Sequence, residues 1–306
     1  PSQMKRWLSV VILAVMVFEL MGVQEAFAAT KLIGVTLLTR EHQFYRDLEA
    51  GLRSEAAKYG FELQVVAGEF DFGKQAAQID DFISKKVDAL IIAPCDSLAV
   101  GGSIAEANKA GIPVFTVDIM NLSPQGKVVC AVQSDNVEGG RQAGRLMVQA
   151  LKDKGGKVVI INHPGVTSVL DRVEGFREII AQHPEIKIIA DVPAWGQRDR
   201  AMAAMEDILL RVPDVAGVFG INDDSALGAV AAIEAAGKLG KIVVVGYDAT
   251  PEAKDAIKAG KIYGDAIQYP TLIGQKAIQA IADYFAGKKV PEKINVEVGV
   301  WTKDSK

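Results

Sequence analysis

The sequence is poor in the residues that metal sites and catalytic centres need. It has two cysteines and three histidines, and the histidines, at 42, 163 and 183, are scattered without a zinc-like Cys/His spacing. Neither G-x-G-x-x-G nor G-x-x-x-x-G-K-[ST] occurs, and there is no G-x-S-x-G elbow. We therefore expect no catalytic residues, no metal and no cofactor, and the chain is predicted not to be an enzyme.

An excess of positive charge is also missing. The formal net charge is −4, from 34 basic and 38 acidic residues, so no broad basic surface for nucleic acid is expected. The chain has 306 residues, 49% of them hydrophobic, which suffices for two domains. Cys95 and Cys130 lie in or beside strand-like runs. We interpret them as small buried residues, and a disulfide between them remains the alternative.

Residues 1–28 have the order of a secretory signal peptide, with three residues ahead of Met4. A short basic segment, Met4-Lys5-Arg6, precedes an apolar run from Trp7 to Phe18, and Ala26-Phe27-Ala28 is a cleavage sequence. The run is shorter than the roughly 20 residues of a membrane span, although an uncleaved anchor remains the alternative. We expect export to the periplasm and a mature protein beginning near Ala29.

From Thr30 onward, strand-like and helix-like patterns alternate with little interruption. Such alternation predicts an α/β protein with parallel sheets and helices on both faces. The predicted strands are 32–38, 61–67, 89–93, 114–117 and 128–132, then 157–161, 186–190, 217–220, 242–246 and 262–267. The series restarts near Gln133 without a low-complexity linker, so we expect two doubly wound domains joined by a short hinge.

Two aspartates follow buried strands in the same manner. Asp248 comes just after Val243-Val244-Val245-Gly246, and Asp118 follows Val114 to Val117 directly. Ligands of open α/β sheets bind beyond the carboxyl ends of the strands, so both carboxylates are candidate ligand acceptors. That Asp248 only caps the next helix is the open alternative.

Other hydrogen-bonding and aromatic side chains fall at similar positions. These are Asn136, Asn222 and Gln268, with Arg172 on a helix and Phe44, Tyr45 and Trp195 in loops or at helix starts. The mixture suits a neutral polyhydroxylated molecule such as a sugar, although each residue alone can be explained as a cap or turn former. His163 follows a strand, but a loop histidine without a partner is more often polar surface.

Several motifs together resemble the periplasmic sugar-binding proteins of ABC transporters, in particular the ribose-binding-like group. The matching stretches are Phe44-Tyr45 with Gly51, S-D-N-V-E-G-G at 134–140, R-V-E-G-F at 172–176, V-F-G-I-N-D-D at 218–224, V-V-G-Y-D at 244–248 and I-Q-Y-P at 267–270. They extend in the family's order over nearly all of residues 30–298.

The resemblance implies a type 1 fold of two lobes joined by three crossings, near 133–136, 268–270 and 297–299. It implies an N-terminal lobe of residues 30–134 plus 269–297, and a C-terminal lobe of 135–268 plus 298–306. Ligand roles are implied for Phe44, Tyr45, Asp118, Asn136, Arg172, Asn222, Asp248 and Gln268.

The function implied is that of a monomer that closes around a monosaccharide or sugar alcohol and delivers it to an ABC transporter permease. A sensory binding protein for chemotaxis or quorum sensing would look the same. A LacI-type repressor core is less favoured, because the lobes follow an export signal rather than a helix-turn-helix.

Three positions depart from the ribose-binding pattern. His42-Gln43 replaces an asparagine and a proline, and Ile119 follows Asp118 in place of a second arginine. The segment around Trp195 is about one residue longer, and we expect Trp195 to be the stacking aromatic of the second lobe and His42 to contact the ligand. Because Ile119 replaces a hydrogen-bond donor by an apolar side chain, it argues against ribose itself and favours a ligand with an apolar edge.

Overall fold

Two six-stranded sheets, each with helices on both faces, make up the fold of the computed structural model, which describes residues 29–306. This confirms the predicted α/β class. The predicted signal peptide lies outside the described residues. Within residues 29–306, no helix is both long and apolar enough to cross a membrane.

The first sheet is entirely parallel, with the order β11-β5-β4-β3-β1-β2. Its strands are β1 (Leu32–Leu37), β2 (Glu62–Ala67), β3 (Ala89–Ile92), β4 (Val114–Val117), β5 (Cys130–Ser134) and β11 (Lys293–Val296).

The second sheet has the order β12-β10-β9-β8-β6-β7 and is parallel except for β12, which runs antiparallel to β10. Its strands are β6 (Gly156–Asn162), β7 (Ile186–Pro193), β8 (Val215–Gly220), β9 (Val243–Asp248), β10 (Gly264–Ile267) and β12 (Gly299–Thr302).

Nine α-helices connect the strands within the described residues. They are α1 (Gln43–Tyr59), α2 (Phe72–Ser84), α3 (Val100–Lys109), α4 (Asn136–Leu151), α5 (Thr167–Ile180), α6 (Arg198–Arg211), α7 (Asp223–Ala235), α8 (Pro251–Lys258) and α9 (Pro270–Phe285). Side chains of Asp71, Asp135, Asn222 and Thr250 cap the first turns of α2, α4, α7 and α8. Each cap satisfies a backbone N–H that the helix leaves unpaired.

The chain passes between the sheets three times. It leaves the first sheet after β5, returns after β10 through α9, which packs on α1, and crosses again between β11 and β12. The short strands β11 and β12 were not predicted as strands. Each has four residues and little full burial, so neither contains the apolar run that marked the other strands.

Both cysteines are free thiols, which decides against a disulfide. Cys130 is buried and Cys95 partly so. Burial raises the pKa of Cys95 to about 12 and that of Cys130 to about 11, so both stay protonated at neutral pH.

The glycine pair of the S-D-N-V-E-G-G motif sets how closely α4 approaches its neighbours. A Cβ at Gly139 would collide with the hydroxyl of Tyr247, and one at Gly140 with the backbone carbonyl of Arg172. Gly175 of α5 lies equally close to the carbonyl of Val137. The backbones of the two helices are therefore in direct contact. This contact fixes the position of the α5 backbone from which the Arg172 side chain extends.

We expect Gly140→Ala to lower the free energy of unfolding by about 1–3 kcal/mol, because the backbone of α5 must move away. Gly102→Ala is the matched control: Gly102 is an exposed glycine in α3, and a Cβ there would make only an ordinary van der Waals contact, with Gln125 Oε1 at 3.7 Å. It should be neutral or stabilise by up to about 1 kcal/mol. Urea denaturation of both variants measures the difference, and equal effects would contradict the close-packing explanation.

Candidate functional site

A small cavity, about 30 Å³, lies at the carboxyl ends of both sheets. It is lined by Leu38, His42, Phe44, Tyr45, Asp118, Ile119, His163, Val166, Ser168, Val169, Arg172, Ile221, Asn222, Asp248 and Gln268. All the predicted site residues except Asn136 and Trp195 are in this set.

Asp118 provides the acceptor from the first sheet. It follows β4 with a left-handed backbone (φ 65°) and is buried. The hydroxyl of Tyr45 donates to its Oδ2 at 2.6 Å, while its buried Oδ1 has no partner in the described part of the chain. Burial raises its pKa, against the opposing effects of Arg172 and Tyr45. Oδ1 is thus an acceptor that a bound molecule can satisfy.

Asp248 provides the acceptor from the second sheet. It ends β9 with φ 115°, and the amide of Gln268 donates to its Oδ1 at 2.7 Å. Burial and the nearby Asp223 raise its pKa well above the usual range, while Arg172 and Gln268 lower it. Thr250, not Asp248, caps α8, since its hydroxyl accepts from the N–H of Ala253. The alternative that Asp248 is only a helix cap is therefore wrong.

Arg172 is a buried guanidinium held on three sides. Its Nε donates to Asn136 Oδ1 at 3.0 Å, its Nη1 donates to the carbonyl of Ile221 at 2.9 Å, and its Cζ lies over the ring of Tyr247, 3.9 Å from the ring centre. Nη2 makes no hydrogen bond to any residue from 29 to 306. That unpaired end, together with the carboxylates of Asp118 and Asp248, gives the cavity both donors and acceptors.

Asn136 does not line the cavity, contrary to the role implied for it. It is 1% exposed, and its Oδ1 accepts from both Arg172 and the hydroxyl of Tyr247, the latter at 3.0 Å. Asn136 therefore positions Arg172 from behind. Tyr247 completes this support, and sequence reasoning missed it because only its neighbour Asp248 had the expected chemistry.

Gln268 and Asn222 line the cavity with amides that already have protein partners. Gln268 accepts from the hydroxyl of Ser134 at 2.6 Å and donates to Asp248, so it connects the end of β5 to Asp248. Asn222 caps α7 through Ser225 N–H and donates to the carbonyl of Gly196 at 3.2 Å. Both amides fix loops as well as lining the cavity.

Trp195 lies outside the cavity, against the expectation that it stacks on the ligand. It is 38% exposed and meets the ring of His163 edge-on, with centroids 5.9 Å apart. His163, which sequence reasoning set aside as surface, is buried and lines the cavity instead. The position of His163 in the sequence could have indicated this, because His163 directly follows β6 just as Asp118 directly follows β4.

His42 also lines the cavity, and its Nε2 donates to the carbonyl of Gly196 at 2.8 Å. Burial lowers the pKa of both histidines, that of His163 to about 4. Both rings are therefore neutral near pH 7. Around them, Leu38, Ile119, Val166, Val169 and Ile221 give the cavity an apolar lining, and Phe44 packs edge-on against Tyr45.

The chain belongs to the periplasmic binding protein family, whose domain model, described as "Periplasmic binding protein domain", matches residues 33–289. It is a binding protein rather than an enzyme. Among the described residues, no group of three or more His, Cys, Asp or Glu side chains is arranged to hold a metal ion.

Curated and solved relatives agree with this assignment. The chain is 36% identical to the ribose import binding protein of Bacillus subtilis (strain 168), over 88% of this chain and 87% of that protein. An ABC transporter solute-binding protein from Agrobacterium vitis, bound with α-D-tagatopyranose, is 30% identical with a TM-score of 0.85, over 90% of this chain and 95% of that one. The Caulobacter myo-inositol binding protein, bound to myo-inositol, is 30% identical with a TM-score of 0.83, over 89% and 93%.

We expect buried His163 to make the protein less stable in mild acid. Below about pH 6.5 the unfolded chain takes up a proton on this histidine, which the folded chain accepts only near pH 4. The stability of the wild type relative to His163→Gln should therefore fall as the pH is lowered from 7.5 to 5. Urea titrations at both values test this, with His183→Gln as a control outside the cavity. If the difference in stability between the wild type and His163→Gln does not change with pH, His163 is not a buried neutral imidazole.

Proposed function

We propose that this protein binds one neutral monosaccharide or sugar alcohol in the cavity between its two sheets and delivers it to an ABC transporter permease. One observation carries the proposal: Asp118 after β4 of the first sheet, Asp248 at the end of β9 of the second sheet and Arg172 on α5 meet at one small cavity. Ribose, tagatose and inositol, named for the relatives, are all neutral and polyhydroxylated. We place the mature protein in the periplasm, as a monomer released from the signal peptide of residues 1–28.

The cavity offers each part of a sugar a matching surface. Ligand hydroxyls donate to Asp118 Oδ1 and to Asp248, and Arg172 Nη2 donates to a ligand oxygen. Phe44 and the aliphatic side chains, including Ile119, cover the C–H edges of the ring by dispersion. Uncharged His42 and His163 present no positive charge to the ligand.

We further propose that residues 30–134 plus 269–297 form one lobe, that residues 135–268 plus 298–306 form the other, and that the structure corresponds to the closed state. Three hydrogen bonds support this. Ser97 N–H donates to the carbonyl of Gly165 at 3.0 Å, Thr167 N–H donates to Ser97 Oγ at 3.1 Å, and Met120 N–H donates to Thr167 Oγ1 at 2.7 Å. Opening would expose these groups to water, so the bonds favour closure without touching the ligand.

Replacing either carboxylate should weaken binding at least about tenfold, because charge-assisted hydrogen bonds contribute roughly 1.5–3 kcal/mol each. A thermal-shift screen of pentoses, hexoses and polyols first selects the ligand. Calorimetry then compares Asp118→Ala and Asp248→Ala with Asp255→Ala, an exposed carboxylate on α8. Unchanged binding in Asp248→Ala would refute the site, and a best ligand that is charged or strongly apolar would refute the sugar class.

Loosening the inter-sheet contacts should weaken binding without removing any ligand contact. We expect Thr167→Val to lower affinity about five- to tenfold, since it deprives Met120 N–H of its acceptor in the closed state only. Ser54→Ala, within α1, is the control.

Small-angle scattering should show the wild-type radius of gyration shrink when ligand is added. Equal radii together with tight binding would rule out closure.

A further inference from the structure

Two buried carboxyl groups lie beneath the loop that carries Asp248. Asp223, at the start of α7, is 1% exposed, and Asp265, in β10, is 0% exposed. Asp223 Oδ2 accepts from Thr250 N–H at 2.7 Å, and Asp265 Oδ2 accepts from Ala249 N–H at 3.0 Å. The two acceptors therefore hold the two residues that directly follow Asp248.

This loop has a backbone that needs such support. Asp248 has φ 115° and Ala249 has φ 56°, both in the region that favours glycine. A non-glycine residue there costs of the order of 1–3 kcal/mol, and it persists only where its surroundings fix it. The bonds from Ala249 and Thr250 to the buried pair provide that fixation.

The other oxygens of the pair, the two Oδ1 atoms, both lie close to Gly246. A Cβ built on Gly246 would lie 2.5 Å from Asp265 Oδ1 and 2.9 Å from Asp223 Oδ1. Neither Oδ1 has another partner in residues 29–306, and neither carboxyl group forms an ion pair there. Two neighbouring buried carboxylates cannot both remain ionised at small cost, so a proton between them satisfies both oxygens.

We propose that Asp223 and Asp265 share one proton and act together as positioning residues for Asp248. The shared proton joins the Oδ1 atoms and leaves both Oδ2 atoms free to hold the loop. This inference rests on the proposed role of Asp248 as a ligand acceptor. It assigns no ligand contact to the pair.

The local charges agree with a retained proton. Burial, followed by the proximity of Asp265, raises the pKa of Asp223 well above its usual range, and burial raises that of Asp265 to about 6. Asp248 is a further carboxyl group close to both, and its proximity raises the pKa of Asp265. The remaining charged groups nearby line the surface cleft beside Asp223: Glu41, Arg46, Arg198, Asp224 and Glu252. Arg198 is already paired with Asp224 and Glu252, so it does not neutralise the pair.

The sign of the pH effect follows from these facts. An acid with a raised folded-state pKa favours the folded arrangement while it is protonated, so this support is lost as the pH rises through that pKa. Loss of the shared proton places two like charges against each other beneath the loop. Ligand affinity, and protection of the Ala249 and Thr250 amides from hydrogen exchange, should therefore fall at alkaline pH.

Two substitutions of one residue provide the test, on the full mature chain. In Asp265→Asn the amide oxygen accepts from Ala249 N–H and the amide nitrogen donates to Asp223, so no shared proton is needed. This variant should bind within about threefold of the wild type at neutral pH and lose the alkaline decline. Asp265→Ala leaves Ala249 N–H unpaired and should bind at least about tenfold more weakly at every pH. Asp255→Asn is the control and should keep the wild-type profile.

Hydrogen exchange of the ligand-free protein separates this inference from the proposed function. Protection of the Ala249 and Thr250 amides, corrected for intrinsic exchange, should decline with pH in the wild type but not in Asp265→Asn. If no sugar binds the wild type, the proposed function fails, and the exchange data still decide whether the pair holds the loop. The same pH profile in Asp265→Asn and the wild type, or full protection in Asp265→Ala, would overturn the proposal. If Asp265→Ala fails to fold, the comparison of Asp265→Asn with the wild type still decides the question.

Discussion

The buried guanidinium of Arg172 is the group around which the cavity is arranged. Removing an arginine from water is costly unless its donors are satisfied and opposite charge is near. The guanidinium donates hydrogen bonds to Asn136 and to the carbonyl of Ile221, and it lies over the ring of Tyr247. The carboxyl groups of Asp118 and Asp248 are close enough to interact with its charge. The close contact of α4 with α5 at Gly140 also belongs to this arrangement, since it fixes the backbone from which the side chain extends.

The two carboxylates share a second constraint, which is backbone strain. Asp118 follows β4 and Asp248 is the last residue of β9, and both adopt positive φ angles that a residue with a side chain seldom takes. Such a kink turns each carboxylate toward the cavity at the end of its strand. Strain of this kind must be balanced by neighbouring bonds, and the chain supplies Tyr45 at Asp118 and the buried acids at the Asp248 loop.

Sequence reasoning succeeded for residues whose place follows from local sequence alone, such as a polar residue at the end of a buried strand. Buried strands followed by Asp118 and Asp248 identified the carboxyl ends of both sheets, and the structure brings those residues to one cavity. It failed where the outcome depended on packing between distant segments. Asn136 and Trp195 have suitable chemistry, but Asn136 Oδ1 already accepts from Arg172 and Tyr247, and Trp195 lies outside the cavity, edge-on to His163. The Asp223–Asp265 pair could not be found either, because the two acids are 42 positions apart in the sequence and share no motif.

The distribution of the last strands has a consequence for how the chain matures. β11 completes the edge of the first sheet by pairing Lys293 with Ala131 of β5, although β6 to β10 of the second sheet lie between them in the chain. β12 then completes the edge of the second sheet. Contacts of such long sequence separation form late and slow folding. The first sheet therefore reaches its final form only after β6 to β10 of the second sheet have been made, so the two sheets cannot fold as independent units one after the other.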